Sequence, residues 1–395
     1  LPAIRNWPGS ELVGEGGGLD IPMTVWWHQE FSQRIIVGGG VCVSPVRGSG
    51  MNSKRTSVDV PWLGEVTRAP QNIPRGKLRR LAGVLARRAE MTVTTRREWT
   101  RHRQTLRAAW MKFLGPMPER PISAGFEVLR DEMLSKVRRQ LIRYEAEAGQ
   151  PVEGYLLTPR SASSRPRPGV VALHQTTRDT IEQIAGVKGP PMQQLGLQLA
   201  ERGFVVICPR NYLWQNVTKY SEAVERFRRR HPDTLGMHKM LHDAQRAVDI
   251  LAGLPGVDAD RIGATGHSLG GKETLYLAAF DERIAAAVAS EGGVGFRFTN
   301  WNAPWYLGKG IDDGSFPLNH HQLLALVAPR PFLVLAGENS SPSTSDGDRT
   351  WPLVEAALPA WRLYGGRPRL GLFNHRQGHS SRHRHRPTRN PQRQR

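Results

Sequence analysis

Ser268 lies at the centre of Gly266-His267-Ser268-Leu269-Gly270, and its flanks give that pentapeptide its meaning. Arg261-Ile262-Gly263-Ala264-Thr265 reads as a buried strand, and the apolar run from Lys272 to Phe280 reads as a helix. A serine on a tight turn between strand and helix has the shape of a nucleophile elbow. The glycines leave room for a crowded backbone, and the helix aims its first N–H groups at the place where negative charge develops. A serine hydroxyl is a weak nucleophile. It needs a base within hydrogen-bond reach and a carboxylate to orient that base.

With such an elbow the partners follow in the order acid, then histidine. His375 and His379 both come after the last expected strand. His379 is the preferred base, because Gly378 in Gln377-Gly378-His379-Ser380 frees the backbone to present its ring. His320 and His321 precede a further strand and come too early. The acid stays open between Glu291, at the end of the strand after the elbow helix, and Glu338, Asp346 or Asp348 further on. Either strand end opens on the same edge of the sheet. The oxyanion would be held by the N–H of Leu269 and a donor from the loop His174-Gln175-Thr176-Thr177, with Gln175 and Thr176 as candidates. Each such donor is worth roughly 3 kcal/mol in a transition state. His174, at a strand end before the elbow, suits loop shaping better than catalysis.

These residues need a scaffold, and the pattern supplies one. Expected strands are Phe126–Leu129, Val137–Ala148, Val152–Thr158, Gly169–His174, Phe204–Cys208, Arg261–Thr265, Ile284–Ser290, Pro331–Ala336 and Leu370–Phe373. Expected helices are 95–114, where Trp99, Leu106, Trp110 and Phe113 recur near helical spacing, then Met192–Arg202, Leu241–Leu251, Leu269–Phe280 and Pro352–Leu363. Strand–helix alternation after an antiparallel start predicts an α/β fold: a mostly parallel central sheet with helices on both faces. Residues 1–60, glycine-punctuated and aperiodic, are expected to be disordered. Residues 61–380 are expected to form the folded domain with a helical lead-in, and 381–395 a basic disordered tail.

Composition narrows the function classes. Cys42 and Cys208 are far apart and lack metal-ligand spacing, which argues against a disulfide framework and a zinc site. No metal or cofactor is called for by the expected chemistry. No run of eighteen apolar residues is present, so no membrane span is expected. No secretory signal is visible after Leu1, which makes the cytoplasm the default expectation. The net charge of +20 is concentrated: residues 75–112 carry twelve Lys or Arg against two Glu, and 381–395 carry six Arg and no acid. A low-complexity tail and a charged helix favour solvated charge over a specific nucleic-acid site. The expected partner is a small-molecule ester, and the oligomeric state is not readable.

The run Asp260–Thr274, with Ser290-Glu291-Gly292-Gly293, Ala328-Pro329-Arg330-Pro331, Asp346-Gly347-Asp348-Arg349 and the His379 turn, resembles the dienelactone hydrolase and acetyl xylan esterase-like group of α/β-hydrolases. That resemblance covers about residues 95–380 and implies a serine carboxylic-ester hydrolase working through an acyl-enzyme, on small acyl esters such as carbohydrate acetates. The chain is also similar to glucuronoyl esterases, which carry a lysine four residues after the nucleophile and a glutamate in a Glu-Ser/Gly-Gly turn. Lys272 and Glu291 match those positions, implying a sugar-holding lysine and a triad glutamate. Leu269 departs from that pattern, since those enzymes place an oxyanion-assisting arginine there. Trp301, Trp305 and Tyr306, shortly after Glu291, could wall a sugar site. A long helix normally follows the catalytic histidine in α/β-hydrolases, and Ser381-Arg382-His383-Arg384-His385-Arg386-Pro387 cannot form an amphipathic one. A catalytically inactive protein of the same fold is therefore the alternative.

Overall fold

The computed structural model describes residues 86–88, 91–296, 299–337, 347–365 and 369–375. The expectations for residues 1–60 and 381–395 lie outside the described residues. A short antiparallel pair, β1 (Ala86–Arg88) and β2 (Met91–Thr92), precedes helix α1 (Arg96–Leu114). Thr95 starts that helix with a reciprocal cap: its hydroxyl accepts from the Glu98 N–H, and the Glu98 carboxylate accepts from the Thr95 N–H. Trp99, Leu106, Trp110 and Leu114 are its buried stripe, Leu114 taking the place expected of Phe113.

Nine strands follow in one sheet: β3 (Glu127–Met133), β4 (Val137–Glu147), β5 (Gln150–Pro159), β6 (Arg167–Leu173), β7 (Val205–Pro209), β8 (Val257–His267), β9 (Ile284–Ser290), β10 (Phe332–Gly337) and β11 (Leu370–His375). Their order across the sheet is β11-β10-β9-β8-β6-β7-β5-β4-β3. Strands β3, β4 and β5 pair antiparallel, β5 meets β7 antiparallel, and the rest from β7 to β11 are parallel. This is the mostly parallel sheet predicted from the alternation of strand and helix after an antiparallel start.

Both faces of the parallel part are covered, which is why its strands are apolar throughout rather than alternating. Along β6, Val171 and Leu173 join a core formed with α1, α5 (Gly236–Gly253), α6 (Leu269–Phe280), α7 (His320–Val327) and α8 (Gly347–Arg362). Val170 and Ala172 face the other core, made with α2 (Thr180–Ile184) and α3 (Leu195–Glu201). The expected helix Met192–Arg202 is a 3₁₀ turn, Pro191–Gln193, followed by α3. Helices α2, α4 (Tyr220–Arg230) and α7 were not anticipated. Among the described residues, no helix is long and apolar enough to cross a membrane.

Several arginines of the basic stretch work inside this fold. Arg96 donates to the Leu363 carbonyl at 2.7 Å, Arg103 to Leu326 at 3.0 Å and Arg107 to Phe280 at 2.8 Å. These charges clasp α1 to neighbouring chain ends. That use accounts for part of the positive excess.

Candidate active site

The described site is built where β8, β9 and β10 end side by side. Register pairs His267 with Ser290, Ser290 with Leu335, and Gly337 with His375, so the residues that follow each strand share one edge of the sheet. Ser268 has φ 57° and ψ −110°, a conformation that costs a non-glycine residue energy and is held by its surroundings. Its N–H donates to the Ser290 carbonyl at 2.8 Å, tying the elbow to β9. A Cβ on Gly266 would run into the Gly270 backbone, and one on Gly270 into the carbonyl of Leu173. The second glycine therefore lets the first turn of α6 lie directly on the end of β6. The loop carrying Gln175 and Thr176 leaves the sheet from that same end of β6.

His174 shapes this loop. Its Nε2 accepts from the Asn211 N–H at 3.1 Å and its Nδ1 bonds the Gln175 carbonyl at 2.8 Å, which fixes a neutral ring with the proton on Nδ1. Burial drives its pKa down to about 4, against the pull of the Gln175 carbonyl. Gln175 is half-buried and donates from Nε2 to Gln183 at 3.1 Å, while Thr176 is exposed. Asn211 also donates from Nδ2 to Glu273 at 3.0 Å. Glu273 is a buried acid on α6 that sequence reasoning missed; burial pushes it up to about 8 despite the Asn211 bond, so it stays protonated at neutral pH.

Glu291 follows β9 directly, one strand over from the elbow. It is 2% exposed, has φ 53°, and its N–H donates to the Leu335 carbonyl at 2.9 Å. Of the other acids, Glu338 and Asp346 lie outside the described residues, and Asp348 falls in the first turn of α8. His379 also lies outside them. His375 is the last residue of β11 rather than a loop residue, because pairing with β10 carries the strand two residues beyond the expected Phe373.

Two expected substrate contacts are placed differently. Trp301 is fully buried, its indole N–H donating to the Gly293 carbonyl at 2.6 Å, so it offers no face to a sugar. Lys272 is 6% exposed, with Nζ donating to the Gly292 carbonyl and lying 4.7 Å from the Trp301 ring centre. Trp305 is half-buried and packs edge-on to Tyr220. His320 and Tyr276, also missed, sit beneath the Glu291 turn: His320 bonds the Val294 carbonyl through Nδ1 and Tyr276 Oη through Nε2 at 2.9 Å.

Residues 152–327 match the Dienelactone hydrolase family. This stretch is a dienelactone hydrolase family domain. It runs from β5 to the end of α7 and contains the elbow, the Glu291 turn and the loop after β6. The chain is also similar to two 4-O-methyl-glucuronoyl methylesterases. One, from Sodiomyces alcalophilus, is 28% identical over 153 residues, covering 32% of this chain and 30% of the relative. The other, from Hypocrea jecorina, is 29% identical over 155 residues, covering 32% of each. The chain thus spans under a third of the length of these curated relatives. Among solved structures, a glucuronoyl esterase from Solibacter usitatus superposes with a TM-score of 0.59 at 20% identity, covering 78% of this chain and 95% of that one. That likeness shows that the shared fold continues beyond the matched segment.

Proposed function

We propose that this protein is a serine carboxylic-ester hydrolase acting on an ester of a carbohydrate. The observation that carries the reading is Ser268 itself, held at φ 57° between β8 and α6 with Glu291 at the adjacent strand end. In the proposed cycle the Ser268 hydroxyl attacks the ester carbonyl while His379 takes its proton. The oxyanion is held by the Leu269 N–H and by a donor from the Gln175–Thr176 loop. The tetrahedral intermediate collapses, His379 protonates the departing alcohol, and an acyl-serine remains. Water, deprotonated by the same histidine, then releases the acid and restores the serine. Glu291 orients the imidazole and balances its positive charge.

The named relatives favour an ester of a uronic acid as substrate. Leu269 favours a second reading, a small acyl ester such as an acetate, because an apolar buried side chain replaces the cation expected beside a uronate's oxyanion. Parallel assays on a methyl glucuronate ester and an acetylated xylo-oligosaccharide separate the two by their kcat/KM. Ser268→Ala should remove hydrolysis of both, and of p-nitrophenyl acetate, while leaving the circular dichroism spectrum unchanged. Hydrolysis by the alanine variant at the parent rate would overturn the assignment.

A further inference from the structure

The turn after β9 is gripped in an uncommon way. Three successive carbonyls, those of Gly292, Gly293 and Val294, are bonded by three buried side chains: Lys272 from α6, Trp301 from the following loop, and His320 from α7. Glu291 stands at the head of this turn in a left-handed conformation that glutamate adopts reluctantly. Something must hold it there, and the three donors supply the hold.

Lys272 is the member whose chemistry exceeds simple packing. The cavity beside it, bounded by Gly292, Gly293, Val294 and Trp301, measures about 10 Å³ and has room for no more than a single water. A sugar ring cannot enter. The ammonium lies over the faces of Trp301 and Tyr306, at 4.7 and 5.7 Å from the ring centres. Among the described residues no carboxylate pairs with it. His320, facing it from α7, is neutral, since burial, against its bond to Val294 and helped by the lysine's own charge, drives its pKa to about 3. His321 on α7 is also held low, at about 4, by burial. On α6 itself, Glu273 bonds Asn211 instead. Lys272 is therefore a buried cation with one carbonyl and two aromatic faces for company.

We infer that Lys272 is a positioning residue: its ammonium anchors the Gly292 carbonyl and so fixes the Glu291 carboxylate for its work on the catalytic histidine. This role rests on the hydrolase reading above and specifies how that site is held and when it loosens. Burial lowers the lysine's pKa from 10.5 to about 7, so the anchor loses its charge as pH rises through neutrality. Activity then acquires an upper pH limb that the triad alone would not give.

The test compares wild type with Lys272→Met and Lys272→Gln, the glutamine keeping an N–H donor without a charge. Each is labelled with a fluorophosphonate and assayed on p-nitrophenyl acetate from pH 5.5 to 9. Expected for Lys272→Met is a loss in kcat of about 10²-fold at pH 6, as for a misplaced catalytic group, with KM changed less than about twofold. Its high-pH limb should be absent. If the methionine variant does not fold, Lys272→Gln carries the test, with a smaller loss and the same flat upper limb. A raised KM with intact kcat would mean a substrate-contacting lysine and overturn the inference. An unchanged pH profile would overturn it too. Failure of wild-type Ser268 to label overturns the hydrolase reading and this role with it, whereas a labelled Ser268 beside unaffected Lys272 variants overturns this role alone.

Discussion

Two lysines are buried to the same depth in this molecule and live in opposite surroundings. Lys239, on α5, is 7% exposed and lies 2.7 Å from both Glu147 of β4 and Asp243 of its own helix. Lys272 is 6% exposed and has aromatic faces and a carbonyl instead. Burial works against the charge at both positions. At Lys239 the charges and hydrogen bonds of Asp243 and Glu147 outweigh it, and the pKa rises above its ordinary value. At Lys272 burial prevails, and the pKa falls. The first lysine binds the antiparallel half of the sheet to the helical layer. The second costs stability and returns a positioned turn at the site. Burial alone says nothing about what a charge contributes; its partners decide.

The sharpest way to break this contrast is to delete the paired lysine. Lys239→Met leaves Glu147 and Asp243 buried without their cation and should cost about 3–5 kcal/mol in urea unfolding at pH 7. Lys272→Met should cost far less or even stabilise. The linkage gives a further sign: between about pH 7 and 10.5 the unfolded chain holds a proton that folded Lys272 has released, so this group's contribution to stability rises with pH over that window. Loss of that rise in Lys272→Met would bear the contrast out. Equal destabilisation by both methionine variants would erase it.

Glu273 extends the comparison to an acid. Burial holds its proton up to about 8, so from pH 4.5 to 8 the unfolded chain releases a proton that the folded one keeps, and this group's contribution falls as pH rises. Glu273→Gln keeps an oxygen for Asn211 and should gain about 1–2 kcal/mol at pH 8, with little change at pH 4, read as a shift in Tm. The smallest effect belongs to Trp301→Phe. It keeps the ring face under Lys272 but removes the N–H on the Gly293 carbonyl, for a loss of about 1 kcal/mol.

What the sequence revealed and what it hid divide along the same line. The elbow was legible because its chemistry demands a local pattern: a strand, a glycine-flanked serine and an apolar helix within twenty residues. The parallel strands were legible because burial on both faces leaves apolar runs such as Val170–Leu173. Helix α4 was not, since only Ala223, Val224 and Phe227 are buried along an arginine-rich segment. Helix α7 is eight residues long, too short for periodicity, although Asn319 and Gln322 form a capping box that could have announced it. Lys272 was expected at the substrate because it matches a lysine position of glucuronoyl esterases, and Trp301 because an aromatic residue shortly after Glu291 suits a sugar wall. Where a side chain points depends on contacts between residues distant in sequence, and here α6 and the Gly293 turn take both inward. His320, set aside as a base, belongs to the same buried support.

All twelve residues of α6 are buried, from Leu269 to Phe280. The helix that carries the nucleophile thus has no face where variation is free, since any change there meets the sheet or a neighbouring helix. Adaptation to a new ester must therefore proceed through the rim, by altering the exposed stretch around Thr176 and Arg178 or the segment around Asn302 and Trp305. Under selection for new substrates, α6 should stay constant while these loops diversify around it.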